Sequence, residues 1–163
     1  MPDPPMLLEH PHSAQASYAR SWSTAPDFAT EGAMVAAASD VRQPLLNQMS
    51  ELAMDCWRDD WDGEGAARVS AEACDVAQRF INALPGAYPA PQVLADPDGW
   101  LAFEWYAGPG NSLFVSVDPA FRVHYAAEVG ADKDYGSAAF FGRFPETLLQ
   151  VLGRIYPHRL CLV

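Results

Sequence analysis

Lysine is almost missing from this chain. Lys133 is the only one, and Lys plus Arg number 10 against 21 Asp plus Glu. The formal net charge is therefore -11. That balance argues against direct nucleic-acid binding, which needs clustered cations to neutralise phosphates. It argues equally against an anionic membrane surface. Cysteine is scarce as well. Cys56, Cys74 and Cys161 form an odd, widely spaced set without a C-x-x-C, so neither a zinc ribbon nor a thioredoxin-type motif is available. They read as free thiols in a reducing cytoplasm. No apolar run approaches transmembrane length. Met6-Leu7-Leu8 is too short for a secretory signal, and no Lys or Arg precedes it. P-loop, G-x-G-x-x-G, H-E-x-x-H and G-x-S-x-G patterns are all absent, and no cofactor is expected.

What remains is ample for a core. The chain has 163 residues, 50% of them hydrophobic and 12% aromatic, which suits one domain. Residues 1–39 stand apart. Pro2, Pro4, Pro5, Pro11 and Pro26 punctuate a stretch rich in Ser, Ala and Thr, with Arg20 its only base. Such a segment buries little and reads as a tail. Tyr18, Trp22 and Phe28 give it either an aromatic drape over the domain or a linear motif. Met34 to Ala38 is compatible with a helical turn, and His10 and His12 read as a chance pair rather than metal ligands. Residues 40–163 form the expected single domain.

Its first helix is predicted from Val41 to Trp57. Asp40 is the expected cap, with Gln43 three residues on and Pro44 in the first turn. Leu45, Met49, Leu52 and Cys56 make one apolar stripe. A second helix starts at the N-cap Ser70 and stops at Pro85-Gly86, burying Ala73, Ala77, Phe80, Ile81 and Leu84. Strands follow at Pro91–Leu94, Trp100–Tyr106, Ser112–Asp118 and Arg122–Ala127. A last strand is predicted near Ser137–Phe141, after a polar loop holding Asp132, Lys133 and Asp134. Phe144-Pro145 opens a final helix with Pro145 at its first position, running to Tyr156.

Register follows from parity. A three-residue loop with a bulge after Asp118 sets Asp118 opposite Arg122, Val117 opposite Val123 and Val115 opposite Tyr125. Leu101, Phe103, Trp105, Leu113, Val115, Val117, Val123, Tyr125 and Ala127 then share one face. Ala102, Glu104, Tyr106, Phe114, Ser116, Arg122, His124 and Ala126 share the other. A one-residue slip would mix the two sets. The expected fold is α+β, an antiparallel four- to five-stranded meander with helices packed on its apolar face, in the order α-α-β-β-β-β-α after the tail.

Two stretches could carry function. Glu51 to Glu64 holds Glu51, Asp55, Asp59, Asp60, Asp62 and Glu64 against Arg58 alone, which is -5 of the chain's -11. Trp57 and Trp61 lie within it. Asp55, Trp57, Asp59, Asp60, Trp61, Asp62 and Glu64 are the candidate contacts for a basic protein partner. A calcium loop is the first alternative: Asp60, Asp62 and Glu64 fit positions 1, 3 and 5 of an EF-hand and Gly65 fits position 6, but Ala71 occupies the place of the bidentate glutamate. The plain alternative is a solvated turn in which Trp61 plugs the core. The second stretch is the polar sheet face, where Ser116 and His124 become cross-strand neighbours with Glu104 diagonal to Ser116. On paper these are a nucleophile, a base and an acid, but mid-strand serine lacks the strained turn and oxyanion donors of a triad. A flat binding face is the other use for it.

The run Trp61-Asp62-Gly63-Glu64-Gly65-Ala66, the Ser-capped helix ending in Leu84-Pro85, Pro97-Asp98-Gly99, Glu104-Trp105 and Val115-Ser116-Val117 together resemble a family of small bacterial proteins. Its members share a W-D-G-x-G-A motif, a P-D-G turn, an E-W strand and a late glycine-phenylalanine strand. The resemblance covers residues 57–155. It implies one compact α+β domain and no particular activity.

The expected function is a non-catalytic, cytoplasmic interaction module steering an arginine- or lysine-rich partner to its acidic patch. An antitoxin, an immunity protein and a mobile-element inhibitor of anti-CRISPR type all fit that description. A small hydrolase or transferase built on Glu104, Ser116 and His124 is the alternative class.

Overall fold

The computed structural model describes residues 41–157. The tail, with its aromatic and histidine readings, the Asp40 cap and Cys161 lie outside the described residues. Among these the order is α1 (Arg42–Asp55), α2 (Ala71–Ala83), β1 (Gln92–Ala95), β2 (Leu101–Tyr106), β3 (Asn111–Asp118), β4 (Arg122–Val129), β5 (Asp132–Ala139) and α3 (Glu146–Ile155). The five strands form one antiparallel sheet in sequential order. The fold is α+β, with five strands in the meander.

The β3–β4 register is the one parity predicts: Asp118 faces Arg122, Val117 faces Val123 and Val115 faces Tyr125. Its three-residue loop ends at Phe121, which adopts the left-handed conformation, φ 58°. Glycine is the ordinary occupant of that position, and a bulky side chain there costs roughly 1–2 kcal/mol. Asp118 offsets the strain, its Oδ1 accepting from the amides of Ala120 (2.7 Å) and Arg122 (3.3 Å). The Phe121 carbonyl in turn accepts from the Phe140 amide at 2.8 Å.

The apolar sheet face and the helices enclose the core. Leu101, Phe103, Trp105, Leu113, Val115, Val117, Val123 and Ala127 are buried there with Leu45, Val76, Phe80, Ile81, Leu148 and Leu152 of the helices. Phe80, fully buried, packs its ring against Phe103 (4.8 Å), Phe144 (5.3 Å) and Phe140 (5.5 Å). Truncating such a residue to alanine costs about 3–5 kcal/mol. Trp105 satisfies its indole N–H on the Pro89 carbonyl at 2.9 Å.

Three local expectations need correcting. The polar loop of Asp132, Lys133 and Asp134 is the first half of β5, paired with Val129, Glu128 and Ala127. An edge strand tolerates charge on its solvated positions. Gly130, at φ 65°, closes a two-residue hairpin of the kind that needs positive φ at its first central residue. Helix α1 stops at Asp55 rather than Trp57, because Cys56 leaves helical geometry and its carbonyl accepts from the Val69 amide at 2.9 Å. Pro145 is the N-cap of α3, not its first residue. Helix α2 is capped as predicted, the Ser70 hydroxyl accepting from the Ala73 amide at 3.1 Å.

Candidate functional site

The loop between α1 and α2 is built around its own aspartates. Asp62 forms an Asx turn, its Oδ1 accepting from the Glu64 amide (2.8 Å) and the Ala66 amide (3.1 Å). These two bonds, Glu64 first, hold the Asp62 carboxyl below the usual carboxylate range. Oδ1 of Asp60 accepts from the Gly65 amide at 2.7 Å, and Oδ1 of Asp59 from the Arg68 amide at 3.1 Å. Asp60 itself sits at φ 63°, a conformation aspartate tolerates. The Asp60 amide donates to the Ala66 carbonyl at 2.7 Å, which closes the loop. Trp61 lies partly buried against the core and donates its indole N–H to the Ala67 carbonyl at 2.9 Å. Three of the candidate carboxylates and one of the two tryptophans therefore act inside the loop.

The two glycine-bearing motifs dock on each other. The Ala67 amide donates to the Pro97 carbonyl at 2.8 Å. Gly99, φ 80°, lies so close that a Cβ there would stand 2.5 Å from the Arg68 carbonyl oxygen. Only glycine satisfies both demands.

Asp55 and Trp57 are placed differently. Trp57 is 59% exposed and Met54 74% exposed. The Arg58 guanidinium lies 4.7 Å from the Trp57 ring centroid. Among the described residues, the Glu51 and Asp55 carboxylates form no hydrogen bond or ion pair. Both carboxylates line a groove of about 790 Å³ between α1 and the outer strand β1. Pro44, Leu45, Leu52, Pro91 and Val93 give it apolar walls, and Gln48 and Gln92 add amides. Burial pushes the thiol of the adjacent Cys56 up, with Asp55 and then Asp62 adding to the effect. Sequence reasoning missed this groove, since its walls are some forty residues apart in the chain. The usable signal was Pro44, Gln48, Glu51 and Asp55 recurring at helical spacing beside the buried stripe.

Glu104, Ser116 and His124 share the opposite sheet face as expected, with Ser116 across from His124 and Glu104 across from Phe114. Their hydrogen bonds run elsewhere. The Ser116 hydroxyl donates to Oδ2 of Asp96, and His124 Nε2 meets Oδ2 of Asp118 at 2.9 Å. The Trp100 ring stacks on the imidazole, centroids 5.5 Å apart. An activated serine needs its bond to the base, and here each partner holds a different aspartate. Glu104 is half-buried, and burial raises its carboxyl above the usual range. The sequence reading places Trp100 at a strand start and Asp118 at a strand end, and does not single out Asp96. Their Asx bonds, Asp96 to the Asp98 amide at 3.0 Å and Asp118 to the Ala120 amide, were the signal that these carboxylates have internal work.

No three or more His, Cys, Asp or Glu side chains among the described residues stand together as a metal site. Asp60 and Asp62 of the calcium alignment direct an oxygen to backbone amides instead. No helix among the described residues is long and apolar enough to cross a membrane. Comparison with protein-family models, with curated proteins and with solved structures found no match to this chain.

Proposed function

We propose that this chain is a non-catalytic interaction module, and that the end of α1 with the groove beside β1 receives a basic segment of a partner protein. The observation that carries the reading is the conjunction at that end: Met54 and Trp57 are exposed beside two carboxylates, Glu51 and Asp55, that nothing in the described fold engages. An exposed tryptophan and methionine set among uncommitted carboxylates suit an anchor with an electrostatic guide. The field of a chain at -11 steers a cationic partner toward it. Within the acidic block, Asp55 and Trp57 are assigned to contact, Asp59, Asp60, Trp61 and Asp62 to shaping the loop, and Glu64 is exposed beside them. This reading fits an antitoxin, an immunity protein or an anti-CRISPR-type inhibitor of a basic machine.

The test is selection of a random displayed-peptide library on the immobilised full chain. Enriched peptides should be Arg- or Lys-rich, and their affinity should fall steeply from low to high salt. Asp55→Lys and Trp57→Ala should each weaken binding on the order of tenfold or more. Enrichment of neutral peptides that bind equally at both salt levels would defeat the proposal.

A further inference from the structure

A second concavity, of about 590 Å³, lies between α2, the β3–β4 turn and the segment after β5. Arg79, Asn82 and Ala83 of α2 form one wall, and Ala120, Phe121, Phe141 and Gly142 form the other. Phe141 is 86% exposed and Phe121 39% exposed. The Arg79 guanidinium lies 6.0 Å from the Phe121 ring centroid. Among the described residues Arg79 pairs with no carboxylate. The lining contains no acid, in a chain whose acids outnumber its bases 21 to 10. The nearest carboxylate along the turn, Asp118, is buried and occupied by the Ala120 and Arg122 amides and by His124. Arg143, which follows Gly142, is exposed.

We infer that this concavity is a second docking site, and that its occupant is a short apolar segment of a partner protein bearing an Asp or Glu. The two rings supply apolar contact, Arg79 supplies a forked donor for the carboxylate, and the Asn82 amide can bond the segment's backbone. A single guanidinium matches one carboxylate and not a polyanion, which the net charge of the chain would repel. The left-handed backbone at Phe121 bears on the same point. Glycine would relax the turn and would not carry the ring, so fold and contact make opposite demands there. This site is independent of the basic-segment site on α1.

The test is a peptide array probed with the full chain, using acidic-aliphatic, basic-aliphatic and neutral short peptides. The acidic-aliphatic class should be retained through Arg79, so Arg79→Glu and Phe141→Ser each weaken it about tenfold or more, while Asp55→Lys leaves it unchanged. Phe121→Gly should lose this binding and keep or raise Tm. Phe141→Ser should leave Tm in place. Equal retention of acidic and neutral peptides would overturn the inference, and so would indifference to Arg79→Glu. A fall in Tm on Phe121→Gly or Phe141→Ser would make the rings structural and overturn it too. Arg79-dependent binding of single-stranded DNA or anionic vesicles in place of peptides, or self-association abolished by Arg79→Glu, would also contradict it.

Discussion

Glu51 and Asp55 project from the exposed side of α1, whereas Asp59, Asp60 and Asp62, only a few residues on, turn an oxygen back to the chain's own amides. Both stretches contribute to the same dense block of negative charge. In the loop, four backbone N–H groups with no secondary-structure partner take those oxygens as acceptors. On the helix, backbone bonding is already complete and the carboxylates stay uncommitted. A count of charges therefore overstates the number of carboxylates free to reorient toward a partner, though the bonded ones keep their charge. Tryptophan divides the same way: Trp61 is tied to Ala67, and Trp57 faces solvent.

The comparison breaks most visibly at the loop's dock. Gly99→Ala should destabilise the fold by about 2–4 kcal/mol in denaturant titration, since the new Cβ collides with a backbone carbonyl and the required φ is left-handed. An unchanged midpoint would mean that the loop and the P-D-G turn are not coupled.

A smaller loss is expected from Asp62→Ala, which strands the Glu64 and Ala66 amides. Its pH dependence has a definite sign. The folded carboxyl titrates lower than the unfolded one, so its contribution is complete above the ordinary Asp range and is lost as pH falls through the lowered value. Asp62→Asn should therefore flatten the acid limb of a Tm-against-pH curve. Glu104 has the reverse sign. Burial raises its folded pKa, so stability declines as pH rises through the window above the ordinary Glu value. Glu104→Gln should raise stability at neutral pH, by an amount kept small by the half-exposed site, with no change at low pH.

The smallest stability effect belongs to the helix end. Asp55→Lys and Trp57→Ala should each stay within about 0.5 kcal/mol of the parent in the same titration. A larger drop would make these side chains structural and erase the contrast.

Much of this architecture was legible in the chain. The β3–β4 register followed because only one pairing keeps Val115, Val117 and Val123 on one face. Helix α2 was legible through Ser70 and its apolar stripe. Strand β5 was not, because Asp132, Lys133 and Asp134 have turn-like composition and their pairing depends on a neighbour, β4, rather than on intrinsic preference. The acidic block was legible as a stretch of sequence, but residue type alone does not say which of its carboxylates are tied to backbone amides. The Asx spacing of Asp62 and Glu64 carried that information in part. Of the groove beside β1 only the α1 wall was legible, through the helical spacing of Pro44, Gln48, Glu51 and Asp55, because the other wall forms only once α1 lies against Pro91 and Val93.

The most direct measurement pairs two double variants against one selected basic peptide, reading Kd and Tm for each. Charge reversal on the helix, Glu51→Lys with Asp55→Lys, should abolish binding and leave Tm unchanged. Neutralising the loop, Asp60→Asn with Asp62→Asn, should lower Tm and leave the Kd of the folded chain near its parent value. Binding lost with the loop variant and kept with the helix variant would contradict the division of labour between these two sets of carboxylates.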